Sequence, residues 1–211
     1  MKYNGESGYN EIDTKKKIPI LGRIDFNSPV ILGFAIISLL VLAISELIDS
    51  EFAYNFAITK TSWLDPMMYL RMFTHIFSHS SPSHFANNFL LILTIGPMVE
   101  EKYGSKTLAL LIFITAGITG LINVTFFPNT MLLGASGIAF MLIVLGSFTN
   151  VKVGKIPLTV ILVSVIYIGN EIITGLTYQS NVSNFGHALG GLCGAGFGYL
   201  IHGRKMKGYR E

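Results

Sequence analysis

Six stretches of the chain are apolar and nearly free of charge, at 30–49, 84–99, 107–124, 135–149, 156–174 and 184–202. Each approaches the ~20 residues that a helix needs to cross ~30 Å of hydrocarbon, so the pattern predicts six transmembrane helices. The longest uncharged interval runs from Lys106 to Lys152, too long for one buried helix of a soluble domain. Between the first two apolar runs lies the single long connection, residues 50–83. Its Trp63, Leu64, Met67, Met68, Tyr69, Met72 and Phe73 are too apolar for a water-exposed linker, which places this loop at the membrane interface. Within it, Asp65 followed by Pro66 reads as a helix N-cap and first helical residue.

Composition strengthens this picture. Of 211 residues, 51% are hydrophobic and only 13% charged, against roughly a quarter charged in ordinary globular domains. Mean hydropathy is +0.56. A soluble enzyme is excluded, and six spans with their loops leave no room for a large extramembrane domain. The expected organisation is a cytoplasmic tail at 1–29, a membrane domain at 30–203 and a second cytoplasmic tail at 204–211. The uncharged stretch 26–45 has no small-residue cleavage site after it, so a retained span is expected and not a signal peptide.

Charge sets orientation. With a cytoplasmic amino terminus, all basic residues but Lys60 and Arg71 fall in inside segments, a strong positive-inside asymmetry that puts both termini in the cytoplasm. The net charge of +3 is spread along the chain without forming a patch, so a nucleic-acid partner is not expected. The lone Cys193 can form no internal disulfide, and its expected role is packing.

Polar groups inside spans carry the functional information, because hydrocarbon offers them no partner. They gather in three places. The second run opens with His84 and Asn88, four apart and on one helical face. The fourth opens with Gly134, Ala135, Ser136 and Gly137. The sixth opens with Gly186 and His187, then places Gly190, Gly194 and Gly198 at intervals of four, a seam that admits a close helix neighbour. Counting ~1.5 Å per residue from the cytoplasmic ends puts Ser136, His187, Asn88 and His84 at roughly 17–22 Å. In a ~30 Å core that common layer lies on the order of 10 Å below the outer surface, within reach of outside water.

At this point the sequence resembles the rhomboid family of intramembrane serine proteases. The resemblance rests on Arg71-Met72-Phe73-Thr74-His75, His84-x-x-x-Asn88, Val99-Glu100-Glu101-Lys102-Tyr103-Gly104, Gly134-Ala135-Ser136-Gly137 and Gly186-His187-x-x-Gly190-x-x-x-Gly194, in that order across residues 70–200. It implies an all-α, six-transmembrane-helix rhomboid-like bundle with a long interfacial first loop. It also implies a Ser136–His187 dyad, in which a neutral imidazole takes the proton of a serine that is otherwise a poor nucleophile. Asn88, His84 and the Ser136 backbone N–H would form the oxyanion hole, with Gly134 and Gly137 keeping the turn around the nucleophile tight. Two positions depart from the family pattern. Leu70 precedes Arg71 where the family has tryptophan, and Phe140 stands where it usually has tyrosine. A phenyl ring can still stack on His187 while lacking the hydroxyl.

The same residues admit other readings. His75 and His79, four apart, could share a zinc ion, but no carboxylate or thiolate ligand is near them in sequence and the His-Glu-x-x-His pattern is absent. No metal and no cofactor are expected, and the family reading makes both histidines and Arg71 structural. Glu171, near the outer end of the fifth run, is expected to have a structural or gating role. Expected substrates are single-span membrane proteins whose helices unwind readily, in contact with a plasma membrane bilayer. The competing reading within the family is a catalytically inactive member that binds membrane clients, which intact Ser136 and His187 disfavour. A small-solute transporter would show inverted repeats and a midplane site, and neither is visible.

Overall fold

A computed structural model describes residues 26–149 and 181–207, with 158, 161–162 and 165–166 between them. Six helices form the described architecture: α1 (Pro29–Leu47), α2 (Pro66–Thr74), α3 (Pro82–Tyr103), α4 (Ser105–Phe126), α5 (Ser136–Gly146) and α6 (Asn181–Lys207). Short 3₁₀ turns at Phe52–Asn55 and His75–Phe77 complete the first loop. Among the described residues the only extended pairing is one antiparallel bridge, Ile58 with Leu132. The fold is all-helical.

Two helices, α1 and α4, are long and apolar enough to span a bilayer, while α5 and the Phe185–Ile201 part of α6 are shorter apolar segments. Helix α3 is 22 residues long but carries His84, Asn87, Asn88, Glu100, Glu101 and Lys102 towards its ends, which lowers its hydropathy. The apolar run at 156–174, with Glu171, falls almost entirely outside the described residues. The fourth run forms a short helix. Its helix begins only at Ser136 and has 11 residues, about 16 Å of rise, half a bilayer core. The preceding backbone is irregular and reaches depth inside protein, where its polar groups find partners, the one situation in which non-helical backbone is tolerated there.

Helix α1 buries Ile31, Phe34, Ser38, Val41 and Leu42 along one stripe. Its other face exposes Ile36, Ile37, Leu39 and Leu40. A helix apolar on both faces suits a lipid boundary. The central core is built from α5 (Ile138, Met141, Leu142, Leu145) against Phe89 and Ile92 of α3 and Leu108 and Ile112 of α4. Asp65 does cap α2, accepting from the Met67 N–H at 2.9 Å, with Pro66 as the first helical residue.

Glu100, at the far end of α3, ties the helices together. Its two carboxylate oxygens accept from the Val30 and Ile31 N–H groups, each at 3.0 Å, and from the Ser105 hydroxyl at 2.7 Å. Pro29 has no N–H, and Leu32 donates to the Ser28 carbonyl at 2.9 Å. The first turn of α1 is thereby satisfied, with a negative charge at its positive end. Glu100 is 3% exposed, so removing it strands two backbone donors, each costing about 1–3 kcal/mol. We expect Glu100→Ala to lower unfolding stability by about 3 kcal/mol, read as a denaturation midpoint in detergent. Its exposed neighbour serves as control, Glu101→Ala changing stability by no more than about 0.5 kcal/mol.

Candidate active site

The irregular segment before α5 is held from the first loop. Gly134 N–H donates to the His75 carbonyl at 3.0 Å, Ala135 N–H donates to His79 Nε2 at 3.3 Å, and Leu132 pairs with Ile58 in both directions. These bonds account for the buried backbone donors of the turn that leads into Ser136. Gly134 has φ +116°, a conformation open to glycine alone. Space demands glycine there as well, since a Cβ would lie 2.8 Å from His84 Cε1 and 3.6 Å from Asn88 Nδ2. Both α3 side chains therefore face the turn.

Ser136 is the first residue of α5 and half-buried. Being at that position, its N–H has no partner within its own helix. Asn88 is 7% exposed, and its Nδ2 is a buried donor with no acceptor among the described residues. A native protein rarely strands such a group without a use for it.

His187 approaches from α6. Its ring stacks on Phe140, one turn beyond Ser136, with centroids 4.5 Å apart and planes within 6°. The glycine seam makes this possible. A Cβ on Gly190 would lie 2.8 Å from the Gly137 carbonyl carbon, and one on Gly194 would lie 2.5 Å from the Met141 oxygen. The two backbones are in direct contact along α5 and α6.

Behind Ser136 is a cavity of about 10 Å³ lined by His75, Thr119, Gly137 and Gly186, room for about one water molecule. Thr119 Oγ1 donates to the Thr115 carbonyl at 2.9 Å and lies 3.4 Å from His75 Nε2. Of the residues expected at the site, His84 and Asn88 of α3 face Gly134, Gly190 of α6 meets Gly137 of α5, and His187 of α6 stacks one turn beyond Ser136.

Among known families, the Rhomboid domain matches residues 66–204. The chain belongs to the rhomboid family. It is also 32% identical over 154 residues to the rhomboid protease GluP of Bacillus subtilis (strain 168). That match takes in 71% of this chain and 29% of the relative, so the rhomboid chain described here spans less than a third of that protein's length. Family membership and the apolar helices make it a membrane protein.

The first-loop histidines of this rhomboid are more central than the sequence indicated. His75 and His79 are 2% and 1% exposed. Burial pushes both rings down to about 4, so both are neutral at pH 7. Their partners across the site are backbone groups, which leave no trace in residue identity. Arg71 is structural, its Nε donating to the Asn55 carbonyl at 2.9 Å. Cys193 is half-buried and packs on the central core. Among the described residues no three His, Cys, Asp or Glu side chains gather in a group that could hold a metal.

Proposed function

We propose that this protein is an intramembrane serine endopeptidase in which Ser136 attacks the scissile carbonyl and His187 takes the serine proton, returning it to the leaving amine. The observation that carries this reading is the stacking of His187 on Phe140 across the α5–α6 seam, which sets an imidazole beside the serine's own helix turn. Asn88 Nδ2 and the Ser136 N–H supply donors for the developing oxyanion, with His84 beside them. Such donors are worth roughly 2.7–4 kcal/mol each when aimed at the charge that forms in the transition state.

In this reading residues 30–203 form a six-span membrane domain, flanked by cytoplasmic tails at 1–29 and 204–211, in the plasma membrane. The site then opens to outside water about 10 Å below the outer face. Substrates are single-span membrane proteins. A peptide bond inside a regular helix is shielded by its own hydrogen bonds, so cleavage favours segments that unwind easily.

Treatment of the detergent-solubilised protein with a fluorophosphonate, followed by peptide mass spectrometry, tests the reading without a known substrate. Labelling is expected at Ser136 alone and is lost in Ser136→Ala and His187→Ala. A folded wild type that takes no label would overturn the protease reading and favour an inactive, client-binding rhomboid. We further expect Asn88→Ala to lower kcat on a membrane-embedded peptide by about 10²–10³-fold, while KM moves less. Steady-state kinetics in proteoliposomes reads both constants.

A further inference from the structure

We infer that His79 is a positioning residue for the nucleophile turn: as a neutral imidazole it accepts the Ala135 N–H at Nε2 and so fixes where Ser136 stands relative to Asn88 and His84. The inference rests on the protease reading for its kinetic consequence, but the contact itself does not depend on it.

Four observations carry it. Ala135 is the residue before α5, fully buried, and no side chain caps that helix end. Its N–H therefore lies outside the helix's own bonding, and the imidazole is the acceptor it finds at 3.3 Å. Second, the ring is immobilised by edge contacts with His84, Phe85 and Phe89, at centroid distances of 5.1, 5.4 and 5.7 Å. Third, one of those contacts is the proposed oxyanion donor His84, so a single ring touches both the turn before the nucleophile and the first turn of α3. Fourth, the Ala135 N–H can only donate, so the neutral ring must accept at Nε2 and carry its hydrogen on the buried Nδ1.

An unpaired Ala135 N–H in this dry position would draw the turn away in search of another acceptor. A shift of about 1 Å at the reacting atoms is enough to cost on the order of 10²-fold in rate. The effect belongs in kcat, because His79 is buried and offers a substrate no surface to touch.

The test compares His79→Leu, which removes the acceptor, with His79→Gln, whose side-chain oxygen can occupy the Nε2 position. His79→Leu is expected to lower kcat on the order of 10–100-fold with KM within about two-fold. His79→Gln is expected to restore kcat to within about three-fold of wild type at an equal unfolding midpoint. Equal loss in both variants, or none in His79→Leu, would overturn the inference. Should His79→Leu not fold, the wild type decides. Ring-¹⁵N-labelled protein at pH 7 should show His79, assigned by its disappearance in His79→Gln, as the Nδ1–H tautomer with Nε2 accepting. The opposite tautomer overturns the inference whatever the activity. A wild type that neither cleaves nor labels would defeat the protease reading and leave the tautomer result standing.

Discussion

We expect Ser136→Ala and His187→Ala each to lower turnover of a membrane-embedded substrate by roughly 10⁴-fold or more, and the double variant to be no slower than the worse single one. In the proposed mechanism the two residues act as one unit, since an alcohol without its base is as ineffective as a base without its alcohol. The fold should survive both changes. Ser136 is half-buried at the start of α5, and His187 packs by its ring face on Phe140. Turnover in proteoliposomes, with thermal unfolding measured in parallel, checks the expectation. Activity of Ser136→Ala above about one hundredth of wild type would place the chemistry elsewhere.

Gly190→Leu is expected to abolish turnover by way of geometry, without touching a reacting group. The first carbon of any side chain at 190 lies inside van der Waals contact with Gly137, 2.8 Å from its carbonyl carbon and 2.9 Å from its Cα. Both obstacles are backbone, so no rotamer change relieves the clash and α6 must move away from α5. That displacement carries His187, one turn earlier on the same helix, away from Ser136. We expect kcat to fall by at least about 10²-fold and stability by about 1–3 kcal/mol. Gly196 provides the control on the same helix, since a Cβ there meets nothing within 4 Å, and Gly196→Leu should leave kcat within a few-fold of wild type. Loss of fluorophosphonate labelling in Gly190→Leu but not in Gly196→Leu separates displacement of the dyad from a general defect of α6.

These two experiments probe features of different legibility. Ser136 and His187 stand out in the sequence because a polar group in an apolar run has to be explained, and the counted depths bring them to one level. The spacing of Gly190, Gly194 and Gly198 likewise announces a close helix neighbour. Nothing in that spacing says the neighbour is α5, or that the contact falls on Gly137 and Met141. The short first-loop helix was legible from Asp65 and Pro66, because capping is local chemistry between residues two apart.

What the sequence by itself determined about this protein is its class: an apolar, nearly charge-free chain with a few polar residues at helix-face spacing, all properties that local periodicity records. The tertiary structure alone decided how the irregular backbone before Ser136 is satisfied, through His75 and His79 more than fifty residues away, and how Glu100 closes the first turn of α1 from the far end of α3. It also decided that the helix of the fourth apolar run is only 11 residues long. The reason is the same in each case. Backbone N–H and C=O groups are identical at every residue, so which distant side chain serves them is set by the packing of whole helices and carries no mark in the local pattern.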